Sequence, residues 1–219
     1  MTKKLVSEFL GTTFLLALVV GSGIMGDRLA SGNVAIALLA NSIATGLGLI
    51  VLISVFGPIS GAHFNPIVTI ISYFQGHHSK KEVSLYFALQ LLGAFVGVFS
   101  AHLMFGEPVF QISPKDRGGI NLMFSEFIAT FGLIMTIRGI AHHHKDKIAV
   151  AVGSYIAAAY WFTSSTSFAN PVVTIARAFT ATFAGINPSN VLGFILAQIL
   201  GALAAEVIFR WLLSDKEIA

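Results

Sequence analysis

The sequence predicts an all-α membrane protein with six transmembrane helices and two short re-entrant half-helices, arranged as an inverted repeat. Three observations carry that reading. Of 219 residues, 55% are hydrophobic and 11% charged, with a mean hydropathy of +0.82, which is more apolar surface than a water-soluble domain can hide. Six segments, about 5–25, 34–56, 83–105, 120–141, 148–166 and 189–213, are apolar over a length suited to spanning a bilayer, for which roughly 20 residues suffice. Finally, Asn65-Pro66-Ile67-Val68-Thr69-Ile70 returns 105 residues later as Asn170-Pro171-Val172-Val173-Thr174-Ile175. Each copy heads an apolar stretch of only about ten residues, too short to cross and suited to a re-entrant segment.

The first span follows Met1-Thr2-Lys3-Lys4, a start that resembles a signal peptide, but Glu8 inside the run and the many later spans read as a retained helix. The first Asn-Pro segment lies between spans two and three, the second between spans five and six. Asn is a strong helix N-cap, and Pro at the first helical position gives up an amide that had no partner anyway. Each copy therefore reads as a short helix that starts abruptly at its Asn. No linker or low-complexity stretch divides the spans, so residues 1–219 form one membrane domain.

The halves match beyond that hexapeptide. Ser7-Glu8-Phe9-Leu10-Gly11-Thr12 resembles Ser125-Glu126-Phe127-Ile128-Ala129-Thr130, and Leu89-Gln90-Leu91-Leu92-Gly93-Ala94 resembles Ala197-Gln198-Ile199-Leu200-Gly201-Ala202. Three matches in one order indicate a duplication, with repeats at about 1–110 and 118–219. Three spans per repeat is an odd number, so the second repeat enters the membrane upside down relative to the first. Gly46, Gly48, Gly93, Gly97 and Gly201 suit close helix crossing.

Lys and Arg set the orientation. Lys3, Lys4, Lys80, Lys81, Arg138, Lys145, Lys147, Arg210 and Lys216 fall on the side of the N-terminus, against Arg28, Lys115 and Arg117 on the other. That places both termini in the cytoplasm of a multi-pass protein of the cell (inner or plasma) membrane. The absence of Cys excludes disulfides and thiolate metal sites. A formal charge of +3 with no basic stripe carrying aromatics argues against nucleic acid as a partner. No Ser–His or carboxylate pair sits in a recognisable catalytic setting, so an enzyme is not expected, nor is a cofactor or a bound metal.

In an inverted pair the two short helices enter from opposite faces and their N-termini converge. Each N-terminus behaves like roughly half a positive charge, so the facing pair forms a barrier to cations at the point farthest from water. Asn65 and Asn170 would offer amide donors there to the oxygen of a neutral solute.

At this point the chain resembles a known family. Ser60-Gly61-Ala62-His63-Phe64-Asn65-Pro66 closely resembles the first pore motif of the aquaporins, and Phe168-Ala169-Asn170-Pro171 is similar to the second. The resemblance covers nearly the whole chain and implies the aquaporin-like fold, a homotetramer with one pore per subunit, and passive flux of small neutral solutes across the lipid bilayer. It also implies that Glu8 and Glu126 brace the re-entrant loops by accepting backbone hydrogen bonds, with Gln90 and Gln198 as their paired companions. His63 is implied to line the cytoplasmic vestibule.

The departures are informative. The motifs usually end in Ala, where this chain has Ile67 and Val172, adding bulk beside the Asn residues. The residue after the second motif is usually Arg, the cationic member of a narrow outer filter, and here it is Val173. Counting without gaps, the remaining filter positions fall on Thr45, Ala158 and Ser167; a gap of one or two residues would bring Tyr160 or a neighbour in place of Ala158. Such a filter is expected to be wider and less polar than a water-selective one. The Asn-Pro-x-Val-Thr-Ile-Ala-Arg run resembles bacterial channels linked to arsenic resistance, which implies arsenic or antimony hydroxides or methylated arsenicals beside water and glycerol-like polyols.

Arg177, one turn beyond Val173, has two readings. Its guanidinium leans back over the filter and restores part of the cation barrier, or it braces a loop carbonyl or snorkels outward. His142-His143-His144 and His77-His78 are expected on solvated cytoplasmic loops, with metal binding or pH gating as the rival reading. Glu206, an intramembrane carboxylate, is a functional candidate or a structural hydrogen-bond partner. Two other function classes stay open: an ion-coupled secondary transporter, since inverted repeats with broken helices build those too, and a structural membrane protein with its pore closed by Ile67, Val172 and Phe168.

Overall fold

The computed structural model describes residues 1–214, and these fold into eight α-helices. In chain order they are α1 (Thr2–Leu29), α2 (Val34–Ser60), α3 (Pro66–Phe74), α4 (Lys80–Phe105), α5 (Ile120–His143), α6 (Ile148–Phe162), α7 (Pro171–Arg177) and α8 (Pro188–Leu212). Lys216, counted above among the topology signals, lies outside the described residues.

Local sequence explains the helix starts. Asn33 caps α2 by accepting from the amides of Ala35 and Ile36, and Asn187 caps α8 from the position before Pro188. Ser79 and Glu82 form a reciprocal capping box on α4. The helix α2 ends at Gly61 and α4 at Gly106, both left-handed, where a side chain would be strained.

Five helices, α1, α2, α4, α5 and α8, are long and apolar enough to cross a membrane. The fifth expected span, 148–166, departs from expectation. Its helix α6 has 15 residues and stops at Phe162, about 22 Å of helix against a hydrocarbon core of about 30 Å. The reason is the polar run Thr163-Ser164-Ser165-Thr166-Ser167. Its hydroxyls bond locally, as when the Ser167 amide donates to Ser165 Oγ, and such bonds compete with helix. A 3₁₀ turn, Lys145–Lys147, leads into α6 on the other side.

Glycine sets how closely the spans approach. A Cβ on Gly93 would stand 2.4 Å from the Phe9 carbonyl oxygen, and one on Gly201 2.2 Å from that of Phe127, so α1 against α4 and α5 against α8 pack backbone to backbone in the same way. Gly46 and Gly153 do this for α2 and α6, each meeting the other's carbonyl. Side chains such as Leu47, Val51, Leu203 and Val207 point outward and remain exposed, the apolar surface that faces lipid in a spanning bundle. The short helices α3 and α7 meet at their N-terminal ends.

Candidate functional site: the central pore

Each half-helix begins where its sequence requires. The Asn65 side chain accepts from the Ile67 amide, and Asn170 from those of Val172 and Val173, with Pro66 and Pro171 at the first helical positions. The Asn residues then reach across to one another's loops. Asn65 Nδ2 donates to the Ala169 carbonyl and Asn170 Nδ2 to the Phe64 carbonyl, both at 2.8 Å. An amide carries two N–H donors and one oxygen. Each oxygen and one donor are thus spent within the protein, leaving one N–H per Asn. The midpoint thus offers side-chain donors, which suits a neutral oxygen-bearing solute.

The loops leading to these helices adopt matching backbones. Ala62 and Phe64 have φ of 50° and 48°, and Ser167 and Ala169 of 51° and 49°. Such left-handed residues cost energy and persist only where the surroundings hold them. Two buried carboxylates supply the hold. Glu8 accepts from the amides of His63 (3.0 Å) and Phe64 (2.8 Å), from Ser60 Oγ (2.7 Å) and from Gln90 Nε2 (2.8 Å). Glu126 accepts from the amides of Phe168 (2.8 Å) and Ala169 (2.9 Å) and from Gln198 Nε2 (2.7 Å). Gln90 and Gln198 also donate to Thr69 and Thr174, whose hydroxyls donate to the Asn65 and Asn170 carbonyls. The two threonines close both networks. Their recurrence within the duplicated hexapeptide was the signal that could have singled them out.

One cavity of about 200 Å³ runs past this junction. Asn65, Asn170, Thr45, Ser167, Val173, His63 and Arg177 all line it, with apolar Leu15, Val19, Leu49 and Ile53 along one wall. Three expectations are corrected. Ala158 lies on the exposed side of α6, away from the cavity, and Tyr160 is the α6 side chain beside the filter. Two residues advance the helix by about 200°, which turns one face to lipid and the other to the pore. Ile67 and Val172, the second residues of their helices, do not line the cavity, whereas the next residues, Val68 and Val173, turned about 100° further, do: Ile67 packs with Ile71, Ile134 and Ala205, and Val172 is buried in the main core. Their bulk therefore does not close the pore.

The positions read from the sequence as the filter are hydroxyl-rich. Thr45 Oγ1 stands 3.4 Å from Tyr160 OH, longer than an ordinary hydroxyl hydrogen bond, and Ser167 Oγ is buried with no protein partner among the described residues. Tyr160 adds its hydroxyl to those of Thr45 and Ser167 at this end of the cavity.

Arg177 braces a loop carbonyl and also faces the cavity. It is 2% exposed, donates through Nε to the Ala184 carbonyl, stacks 3.4 Å above the Phe168 ring centroid and still lines the cavity. Arg117, read from the sequence only as a topology signal, sits against the same ring at 5.1 Å and donates to the carbonyls of Gly185 and Ser165. Lys115 lies nearby, and burial together with Arg117 and Arg177 pushes its ammonium down to about 8.

The opposite mouth is built differently. Arg138 and Gln75 line it and share Glu206: Arg138 Nε is 3.2 Å from Glu206 Oε2, an ion pair by distance without hydrogen-bond geometry, and Gln75 donates to the same oxygen at 3.2 Å. Glu206 is thereby tied to neighbours. His63 bonds Thr69 through Nδ1, and its ring packs against His78 and Tyr86. His78 is half-buried rather than solvated, with Nδ1 bonded to Ser72 and Nε2 unpartnered. Burial holds its imidazole below the usual histidine range. His77 and His142–His144 are exposed.

This geometry agrees with comparisons to known proteins. Residues 1–147 match the family model described as Major intrinsic protein. Aquaglyceroporin AqpS of Rhizobium meliloti (strain 1021) is 48% identical over 97% of this chain and 91% of its own length. Aquaporin NIP1-1 of Arabidopsis thaliana is 30% identical over 95% of this chain and 73% of its own. The crystal structure of the aquaglyceroporin from Plasmodium falciparum superposes with a TM-score of 0.70 over 95% of this chain and 93% of that one, and at 22% identity this likeness speaks to the fold. A duplicated Asn-Pro junction braced by paired carboxylates, in a chain this similar to those relatives, leads to one conclusion: this multi-pass membrane protein belongs to the major intrinsic protein family.

Proposed function

We propose that the protein is a passive channel for water, glycerol-like polyols and related small uncharged solutes. The observation that carries this is the cavity's polarity. Asn65 and Asn170 each present one free N–H at its centre, and no carboxylate lines it among the described residues. A relative of this chain bears the name aquaglyceroporin, and the reading extends that solute class here. Family members of this kind are channels rather than enzymes. Trivalent arsenic or antimony hydroxides and methylated arsenicals are the finer part of the proposal, supported by the Val173-Thr174-Ile175-Ala176-Arg177 run. Thr45, Tyr160, Ser167 and Val173 serve as the outer filter and His63 lines the inner vestibule.

The same reading takes residues 1–110 and 118–219 as inverted repeats of one channel domain. It places both termini in the cytoplasm at the inner or plasma membrane and assembles four copies, each with its own pore. Ion coupling is disfavoured because Glu8 and Glu126 are already saturated by protein donors, leaving no midplane carboxylate to carry a proton or bind sodium.

Stopped-flow light scattering on proteoliposomes, comparing water with glycerol and following arsenite uptake in parallel, tests the proposal. Glycerol flux above empty liposomes, indifferent to imposed proton or sodium gradients, is the expected result. Uptake that requires either gradient would favour a coupled transporter, and no flux at all a closed structural protein.

A further inference from the structure

The family resemblance leaves Val173 where a filter would hold a cation, yet two cations sit within reach of that end. Arg177 follows Val173 by one helical turn, and side chains on a helix lean toward its N-terminus. The Arg177 guanidinium therefore returns to the cavity that Thr45, Tyr160, Ser167 and Val173 line. Only its Nε is engaged, by the Ala184 carbonyl; among the described residues its terminal nitrogens donate to no protein atom. No carboxylate pairs with it or with Arg117, since the two ion pairs among the described residues are Arg28–Glu107 and Arg138–Glu206. The two arginines share more than a ring. Arg117 bonds Ser165 and Gly185, on either side of α7, and Arg177 bonds Ala184, so both tie down the chain that follows α7. Arg117 is itself fixed by Asn190 Oδ1, which accepts from its amide at 2.9 Å. Phe168, the ring between these contacts, is anchored by its amide on Glu126.

Two buried guanidiniums with carbonyls and one aromatic face as their only compensation are costly to keep. The neighbouring Ser167 hydroxyl, also buried, has no partner either. Together they form a cluster of unspent donors aimed at one end of the pore.

We propose that Arg177 is the specificity-determining cation of the outer filter, acting from one turn beyond Val173, and that Arg117 is the positioning residue that fixes it through Phe168 and the flanking loops. Arg177 and Ser167 donate to the oxygens of neutral hydroxylated solutes, while the positive charge turns cations and protons away. This rests on the channel reading above.

The experiment measures proton conductance with an internal pH dye under an imposed potential, alongside water and glycerol flux, in proteoliposomes of the full chain. Arg177→Met and Arg177→Gln are expected to raise proton conductance about tenfold or more, since an uncompensated charge in a narrow low-dielectric site sets the barrier. Gln retains a donor for the Ala184 carbonyl and so carries the test if Met loses the fold. The double variant Val173→Arg/Arg177→Met returns conductance to the parent level. Arg117→Met lowers the glycerol-to-water ratio, and Arg117→Lys, which keeps a cation against Phe168, restores it. Should both Arg177 variants fail to fold, Val173→Arg alone decides: it crowds the existing guanidinium and cuts glycerol flux, and unchanged flux overturns the assignment. Parent protein that conducts beside Arg177 variants with unchanged proton conductance overturns the Arg177 assignment alone; a parent silent to water and glycerol overturns the channel reading with it.

Discussion

At the scale of single residues, the pore depends on two carboxylates that touch no solute. Glu126 holds the Phe168 and Ala169 amides and Gln198 in place, and Glu8 does the same for its own loop. Removing either strands two or more buried donors at about 1–3 kcal/mol each. Glu126→Ala is therefore expected to cost at least about 3 kcal/mol and Glu8→Ala a similar amount, read as a lowered unfolding temperature in detergent with loss of water flux. A second prediction separates the two candidates on α6. Tyr160→Ala opens the filter end and raises glycerol flux relative to water, whereas Ala158→Leu, on the exposed face, leaves the solute profile of proteoliposomes unchanged.

At the scale of elements, helix spacing is a matter of missing methyl groups. Gly201→Ala forces a Cβ to within 2.2 Å of the Phe127 carbonyl, overpacking that costs about 1–3 kcal/mol. Gly57→Ala, in α2 with nothing within 4 Å, gains up to about 1 kcal/mol in helix propensity. Thermal unfolding of the pair should move in opposite directions. The connection between α3 and α4 gives a pH prediction. Burial lowers the His78 pKa from 6.5, so the unfolded chain takes up the proton first. Stability contributed by neutral His78 is present above pH 6.5 and declines as pH falls through that value. His63, His77, Lys4, Glu82 and Tyr86 surround it, and Glu82 alone favours the charged form. Unfolding temperature should drop between about pH 7.5 and about pH 5.5, and His78→Gln should flatten that drop.

At the scale of the whole molecule, the charge distribution runs from one mouth to the other. Arg138 is offset by Glu206 at one end, Arg177 by no carboxylate at the other, and two half-helix N-termini meet between them. The cavity thus presents donors at its centre and a guanidinium at the Val173 end. The absence of Cys in the chain makes orientation directly testable. Single cysteines placed at Thr2 and Ser214 should both react with an impermeant thiol reagent from the cytoplasmic face, and one at Ile112 from the opposite face. Labelling of Thr2→Cys and Ser214→Cys from different faces would sink the inverted arrangement of the repeats.

The sequence by itself determined the membrane class, the two half-helices and their Asn-Pro starts, which are written in composition, in capping chemistry and in a duplicated hexapeptide, all local or periodic. The duplication also paired Glu8 with Glu126 and Gln90 with Gln198, while their bracing role came from the resemblance to the aquaporins. Only the tertiary structure decided which side chains face the pore. The choice of Tyr160 over Ala158 is a helix rotation, fixed by the Gly46–Gly153 contact and by where the serine-rich run ends α6. The burial of Ile67 and Val172 away from the cavity, and the gathering of Arg117 and Arg177 on one Phe168 ring, depend on chain segments 60 residues apart (Arg117 and Arg177) meeting in space. Spacing along a chain fixes phase within an element, whereas the rotation of that element against its neighbours is set by packing contacts that no single segment encodes.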